Sequence, residues 1–360
     1  MAEKSYSYQE DLSNIRKLRE LEKQLPPYAA DYFRGIQERT QTRTRVAYAY
    51  DLIVFFRFLK ESNPVFSDKP VRDITLEDLE NLTASDIEEY EDYLQDYSGG
   101  SGGNRTERSN RPTAVKRKLS ALSSFFRYFQ QKGYIRVNPV SLVSMPKLRD
   151  KAIIRFDDGE TEEFLDHVDD GTSLTARQQV WHEKTRLRDL AMMTLMLGTG
   201  IRVSECVGLN LTDVNFNDDS LLVHRKGGKE SVLYFSDEVE LPLLDYLEWR
   251  EEFMKDTPDE PAFFVSLQKR RITVRSVENL VKKYAQTVTT TKHITPHKLR
   301  STYGTSLYRK TGDIYLVANV LGHSDVNTTQ KHYAAIDEDR RRNARNAVTL
   351  RPDKKEEEDS

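Results

Sequence analysis

One cysteine, Cys206, in 360 residues excludes an intramolecular disulfide framework and any CxxC metal cluster. No run of about 18 apolar residues occurs, so no stretch reads as a membrane-spanning helix. The first residues, MAEKSYSYQEDL, lack the apolar core of a signal peptide. There is no internal repeat. Excess charge is lacking too: the net formal charge is −3, which by itself argues against a nucleic-acid partner. These absences leave a cytoplasmic chain of about two domains, each half long enough to bury a core.

The charge that is present is unevenly placed. Residues 76–97 hold nine acidic and no basic residues, whereas residues 105–155 hold thirteen basic and two acidic. Asp353 to Ser360 (DKKEEEDS) is acidic again and reads as a disordered tail. A strongly basic segment inside a near-neutral chain is the footprint of a phosphate-backbone contact. Charge runs in general are more often solvated helix faces. Here Val115, Leu119, Leu122, Phe126 and Phe129 recur at helical spacing through the basic run, so it belongs to a folded surface.

Apolar spacing predicts helices in succession. Leu12, Ile15, Leu18, Leu21 and Leu25 define the first, stopped by Pro26-Pro27. A second is expected from Tyr28 to Arg39. A third spans Thr42 to Glu61 on a stripe of Tyr50, Ile53, Phe55, Phe56 and Leu59, and Asn63-Pro64 ends it. Ser85 reads as the N-cap of an acidic helix through Tyr97. SGGSGG at 98–103 reads as a flexible loop. Thr113 to Gln131 is the basic helix, with Lys116, Arg117, Lys118 and Arg127 outside its buried face. Asn138-Pro139 and Pro146 mark an extended linker, and the composition shifts near residue 152.

The second half is mixed. Arg186 to Leu197 is an apolar helix closed by Gly198 and Gly200. Leu221 to Val223 and Val232 to Tyr234 alternate around Gly227-Gly228, the pattern of a hairpin with a two-residue glycine turn. Further helices are expected at 237–255, 274–287, 296–311, 313–321, 325–333 and 337–347. The fold class is mainly α with a small β-sheet.

Six polar residues carry the candidate chemistry. Thr295-Pro296 reads as an N-cap followed by proline at the first helical position. His297 and Arg300, three apart, then share one face at a helix N-terminus, where backbone amides favour an anion. A guanidinium there forks onto two phosphate oxygens. The plainer alternative is a surface arginine with a capping histidine. Arg202 follows Gly198-Thr-Gly200-Ile201 on a turn that leaves it free to enter a cleft, unless it is a structural salt bridge to Glu205. Lys226 flanks the turn in His224-Arg-Lys-Gly-Gly-Lys229. A lysine on a turn tip is usually solvated, yet a hairpin can carry one to a leaving oxygen as a general acid. Lys229 competes for that role. Gly322 closes a helix at Leu321 and Ser324 reads as the next N-cap, which holds His323 at a junction. Ten residues on lies Tyr333. Packing is the ordinary role of such a tyrosine. To act as a phenolate it needs neighbouring cations, because its free pKa is about 10. Together these residues supply a nucleophile, phosphate-binding cations and an acid. That set suits phosphoryl transfer through tyrosine, with no metal and no nucleotide cofactor.

The segments GTGIRVSECVGLNLTDV (198–214), RKGGK (225–229), TPHKLRSTYGTSLY (295–308) and VLGHSDVNTTQKHYAAI (320–336) resemble the tyrosine recombinase/integrase family. The basic helix TAVKRKLSALSSFFRYF (113–129), with Asn138-Pro139 after it, resembles that family's core-binding domain. Length, N-terminal helical extension and the lack of an arm-binding domain are Xer-like, nearest the single-recombinase XerS type. Two positions depart from the pattern: Ser301 follows Arg300 where many relatives carry His or Arg, and ten residues separate His323 from Tyr333 where nine is common.

The resemblance implies a helical, SAM-like core-binding domain and an α+β catalytic domain that close as a C-shaped clamp on DNA. The division expected is an extension over 1–26, core-binding domain 27–145, linker 146–152, catalytic domain 153–350 and tail 351–360. It implies that Tyr333 attacks a phosphodiester to form a 3′-phosphotyrosyl link and release a 5′-hydroxyl. Arg202 and Arg300 would clamp the non-bridging oxygens. Lys226 would protonate the leaving oxygen. His297 and His323 would bind the phosphate, and His297 would also accept the tyrosine proton. Arg105, Arg108, Arg111, Lys116, Arg117, Lys118, Lys147, Arg149 and Lys151 would hold the DNA. The implied partners are double-stranded DNA with an inverted-repeat site, three further copies in a tetramer on two DNA sites, and an accessory activating protein. A helix at 337–347 would dock on a neighbour. Localisation would be cytoplasmic, with the nucleoid, and the role chromosome dimer resolution. Integration or excision of a mobile element is the alternative role. A catalytically silent DNA-binding protein and a type IB topoisomerase-like relaxing enzyme stay open.

Overall fold

The computed structural model describes residues 6–95, 97–99, 106–108, 110–147, 153–225 and 229–322, without the side chains of 7, 97–99 and 106–108. The chain divides into two compact units, Met1–Lys151 and Ala152–Ser360.

The first unit contains α1 (Tyr6–Glu22), α2 (Ala29–Gly35), α3 (Thr42–Ser62), α4 (Leu76–Glu80), α5 (Ala84–Gln95), β1 (Tyr97–Gly99), β2 (Thr106–Arg108) and α6 (Pro112–Gln131). Its core is aromatic. Phe55 of α3 meets Tyr90 of α5 edge-on at 5.2 Å, and Tyr32 of α2 meets Phe125 of α6 in the same way at 5.2 Å. Leu18, Leu21 and Leu25 join this core. Proline at the start of α6 has the fixed backbone that a first helical turn needs. All five apolar positions expected of α6 are buried.

Several sequence expectations change here. Lys118 is buried, because it falls three residues after Val115 and three before Ala121 on the packed face; its Nζ donates to Asn110 Oδ1 at 3.2 Å. Tyr50 is exposed, and the buried face of α3 instead holds Ala49, Asp51, Leu52, Phe55, Phe56, Phe58 and Leu59. The acidic stretch forms two helices. Thr83 rather than Ser85 caps the second, with Asp86 Oδ2 accepting from the Thr83 amide at 2.8 Å. Of the loop expected at 98–103, Ser98 and Gly99 lie in β1, paired antiparallel with Glu107 and Thr106, since a ladder is built from backbone groups that any composition supplies; residues 100–103 lie outside the described residues. Asn138 starts a packed 3₁₀ turn, not an extended linker: it is buried, donates to Ser123 O at 3.2 Å and accepts from the Val140 amide at 3.1 Å.

The second unit contains α7 (Asp158–Asp170), α8 (Ala176–Thr199), α9 (Val203–Gly208), β3 (Val214–Asn215), β4 (Ser220–His224), β5 (Glu230–Tyr234), α10 (Asp237–Phe253), α11 (Val274–Val288), α12 (Pro296–Thr311) and α13 (Ile314–Leu321). The strands form an antiparallel sheet in the order β3-β4-β5. Helix α8 runs through the middle, packed against α7, α10 and α12, with Met192, Met193, Leu195 and Met196 fully buried. A polar knot fixes α8 to α11: buried Asp189 accepts from Thr185 at 3.0 Å, Arg188 Nη2 at 2.7 Å and the Tyr284 hydroxyl at 2.9 Å. No described helix is long and apolar enough to cross a membrane.

The hairpin strands fall where their alternation predicts, with Leu221 opposite Leu233 and His224 opposite Glu230. The Arg225 amide donates to Lys229 O at 2.6 Å. The turn expected at Gly227-Gly228 lies outside the described residues. The helices expected at 325–333 and 337–347 lie outside the described residues.

Candidate active site

The site is assembled at the carbonyl end of α13. Helix α8 stops at Gly200, whose φ of +64° suits glycine. A Cβ there would come within 2.4 Å of the Tyr303 ring, so the position also needs the missing side chain. The turn buries Ile201 and delivers Arg202 to the N-cap of α9. Arg202 Nη2 donates to Leu321 O at 3.2 Å and Gly322 O at 3.1 Å. Its Nη1 donates to Glu205 Oε1 at 2.6 Å, and its amide to Glu205 Oε2 at 3.0 Å. The salt bridge weighed as an alternative for Arg202 is therefore present, alongside the contacts to α13.

Arg300 reaches the same place from α12. It is buried, donating to Gly200 O through Nη1 and to Leu321 O through Nη2. Thr295 occupies the N-cap of α12 and Pro296 the first position, as their sequence predicts, although no side-chain bond from Thr295 completes the cap. His297 stands exposed in the first turn of the same helix. The structure thus brings Arg202 and Arg300 onto one carbonyl oxygen, that of Leu321. A helix C-terminus carries partial negative charge and unpaired carbonyls, which is why cations gather there.

A third arginine joins them that the sequence did not single out. Arg225, at the end of β4, donates through Nη2 to Val320 O at 2.9 Å. Its Nη1 lies so close to Gly322 that a Cβ on that residue would stand 2.1 Å away. Burial pulls the Arg225 guanidinium below its ordinary pKa, Glu205 opposes this, and Arg202 adds to it. The one sequence signal for Arg225 was its place beside Lys226 in the RKGGK segment. Lys229 is exposed. Lys226, His323 and Tyr333 lie outside the described residues. Among the described residues, no group of three or more His, Cys, Asp or Glu could hold a metal ion.

Of the residues expected to hold DNA, Arg111 and Lys147 are exposed and Lys116 half-buried. Arg117 is paired with Asp51. The Arg108 side chain, and Arg105, Arg149 and Lys151, lie outside the description.

Residues 156–340 match the phage integrase family. Tyrosine recombinase XerS of Lactococcus lactis subsp. cremoris (strain MG1363) is 32% identical over 360 residues, covering 92% of this chain and 97% of its own. The fold is similar to a XerH site-specific recombinase bound to palindromic difH substrate in a post-cleavage complex, with a TM-score of 0.65, 19% identity and coverage of 96% and 97%. It is also similar to a lambda integrase tetramer bound to a Holliday junction, with a TM-score of 0.60, 17% identity and coverage of 85% and 76%. The chain belongs to the phage integrase family. It is an enzyme, a site-specific tyrosine recombinase of the Xer type.

Proposed function

We propose that this recombinase breaks and rejoins duplex DNA through Tyr333. The tyrosine oxygen attacks phosphorus, the 5′ oxygen leaves with a proton from Lys226, and the 3′ phosphate stays on the enzyme. The phenolic proton passes to His297. Arg202 and Arg300 hold the non-bridging oxygens as negative charge builds on them, and His323 completes the phosphate contacts. The observation that carries this reading is the meeting of Arg202 and Arg300 at Leu321 O, two residues before His323.

Four copies on two inverted-repeat sites exchange one strand pair, isomerise a Holliday junction and exchange the other. Arg111, Lys116 and Lys147 hold the phosphates of the duplex. Chromosome dimer resolution in the cytoplasm, at the nucleoid, is the role that suits an Xer-type chain. An accessory protein activates the complex.

Covalent trapping tests the chemistry. The protein is incubated with sheared host DNA, denatured in detergent, and its linked fragments are sequenced. Adducts that vanish in Tyr333→Phe and map to one short inverted repeat are the expected result. Adducts scattered without sequence preference would replace recombination with relaxation, and tight DNA binding without adducts would move the silent binder forward. The genomic position of the repeat separates resolution from integration.

A further inference from the structure

The basic face of α6 holds one arginine that is anchored from behind. Arg117 Nη1 donates to Asp51 Oδ2 at 2.5 Å, with the arginine side chain 48% exposed and the aspartate side chain 2%. Asp51 comes from α3, which packs against α6, and lies on the buried face with Ala49, Leu52 and Phe55. Desolvating a carboxylate there is costly. Burial raises its carboxyl to about 6, although Arg117 and Lys118 both oppose the rise. An asparagine of the same shape would spare that cost, so packing alone does not account for a carboxylate.

The surroundings suit close approach of a helix to a groove. Thr113 and Ser120, four residues before Arg117 and three after, share its face and are exposed. Short hydroxyl side chains beside one long, fixed one let a helix settle into a major groove about 12 Å wide while the arginine reaches the base edges.

Charge separates base reading from phosphate binding. A phosphate contact requires only a cation, and its hallmark is counterion release. The Asp51–Arg117 pair is close to neutral as a unit and adds little to that release. What pairing leaves intact is direction: a planar fork held through Nη1 alone, with Nη2 and Nε unbonded among the described residues. Two acceptors in one plane, guanine O6 and N7, match such a fork.

We propose that Arg117, held by Asp51, is a specificity-determining residue that reads a guanine in the major groove of the recombination site. This rests on the reading of the chain as a recombinase that contacts DNA through α6.

The test selects bound sequences from a randomised duplex library with the full-length protein and with Arg117→Ala, Arg117→Lys, Asp51→Asn and Lys116→Ala. The enriched duplex and a scrambled one are then titrated by fluorescence anisotropy over a salt series. For Arg117→Ala, guanine preference should vanish at one position of each half-site. Affinity for the enriched duplex should fall about 5- to 150-fold, with the scrambled duplex and the salt slope unchanged. Arg117→Lys keeps the cation but not the fork, and should lose the same preference. Asp51→Asn should weaken the preference with its melting temperature equal or higher. Lys116→Ala should instead lower both affinities and reduce the slope by about one. Equal losses on both duplexes for Arg117→Ala, with a reduced slope, would make Arg117 a phosphate contact and overturn the proposal. An unchanged motif would make the pair mere packing. If the wild-type chain binds no duplex, the DNA reading of α6 fails with it; if it binds and only the motif persists, the proposal alone fails.

Discussion

Arg202 and Arg300 direct their donors at backbone oxygens of Gly200, Leu321 and Gly322. Carbonyl oxygens fix a guanidinium plane without cancelling its charge, as a carboxylate would. Glu205 Oε1 accepts from Nη1 of Arg202 in the same cluster. Arg300 brings its guanidinium to a buried position on these carbonyl oxygens, where a charge acts strongly on charge that develops nearby. Arg300→Ala should slow covalent adduct formation on a nicked duplex about 10²–10³-fold while DNA affinity changes little. Arg300→Lys should recover little of this, because a point charge does not reproduce the fork. A single-turnover time course beside an anisotropy titration checks it, and near-wild-type adduct formation in Arg300→Ala would remove Arg300 from the catalytic set.

At the scale of elements, Arg225 ties the β4–β5 hairpin to the last turn of α13. The residue after it is the proposed general acid. Arg225→Ala should speed amide exchange at the hairpin end and slow cleavage of an ordinary phosphodiester about tenfold or more. A substrate with a 5′-thiolate leaving group needs no proton and should recover most of that loss; no recovery would place the defect elsewhere. The α3–α6 pair gives a second test. Asp51 titrates at about 6 when folded, against 3.8 as its ordinary value, with Arg117 and Lys118 facing it. Between those values the folded chain keeps a proton that the unfolded chain has released, so stability falls as pH rises through the window. Asp51→Asn removes this slope. Its stability relative to wild type should climb from pH 4 to pH 6.5 by about 1–2 kcal/mol and then level off, as followed by urea unfolding.

Legibility in the sequence followed the strength of local signals. The bounds of α12 match expectation because Thr295-Pro296 and Gly312 mark both ends. Helix α7 went unread, since Phe164 and Val168 are its only buried residues and its apolar stripe is thin. Its capping box, Asp157 with Glu160, was visible in principle. Arg202 and Arg300 were legible as chemistry because glycines and a proline frame them. Their meeting point was not, because it is a backbone oxygen more than a hundred residues from Arg202, and no side-chain pattern encodes it. Asp51 was hidden for the opposite reason: one polar residue in an apolar stripe reads as a helix edge until its partner across the core is seen.

Over the whole molecule, the near-neutral total conceals two opposed halves. Residues 1–151 carry 25 basic against 22 acidic side chains, and residues 152–360 carry 30 against 36. The unit that holds the candidate active site is therefore net negative, at 30 − 36 = −6, and the first unit is net positive, at 25 − 22 = +3. Each unit also has a core of its own: among the described residues the aromatic core of the first runs from Leu18 to Val143, and α8 centres the second. Independent cores predict independent folding. A chain of residues 152–360 should therefore give a single cooperative melt. The same charges predict that this piece binds duplex DNA at least about tenfold more weakly than the full chain at low salt, with a flatter dependence on salt, since most of the counterion release belongs to residues 105–151. Thermal denaturation and a salt-series titration of the two chains side by side decide it. A fragment that binds as tightly and as salt-sensitively as the whole would show that the negative unit carries the main DNA surface, and the basic segment around α6 would lose its assigned part.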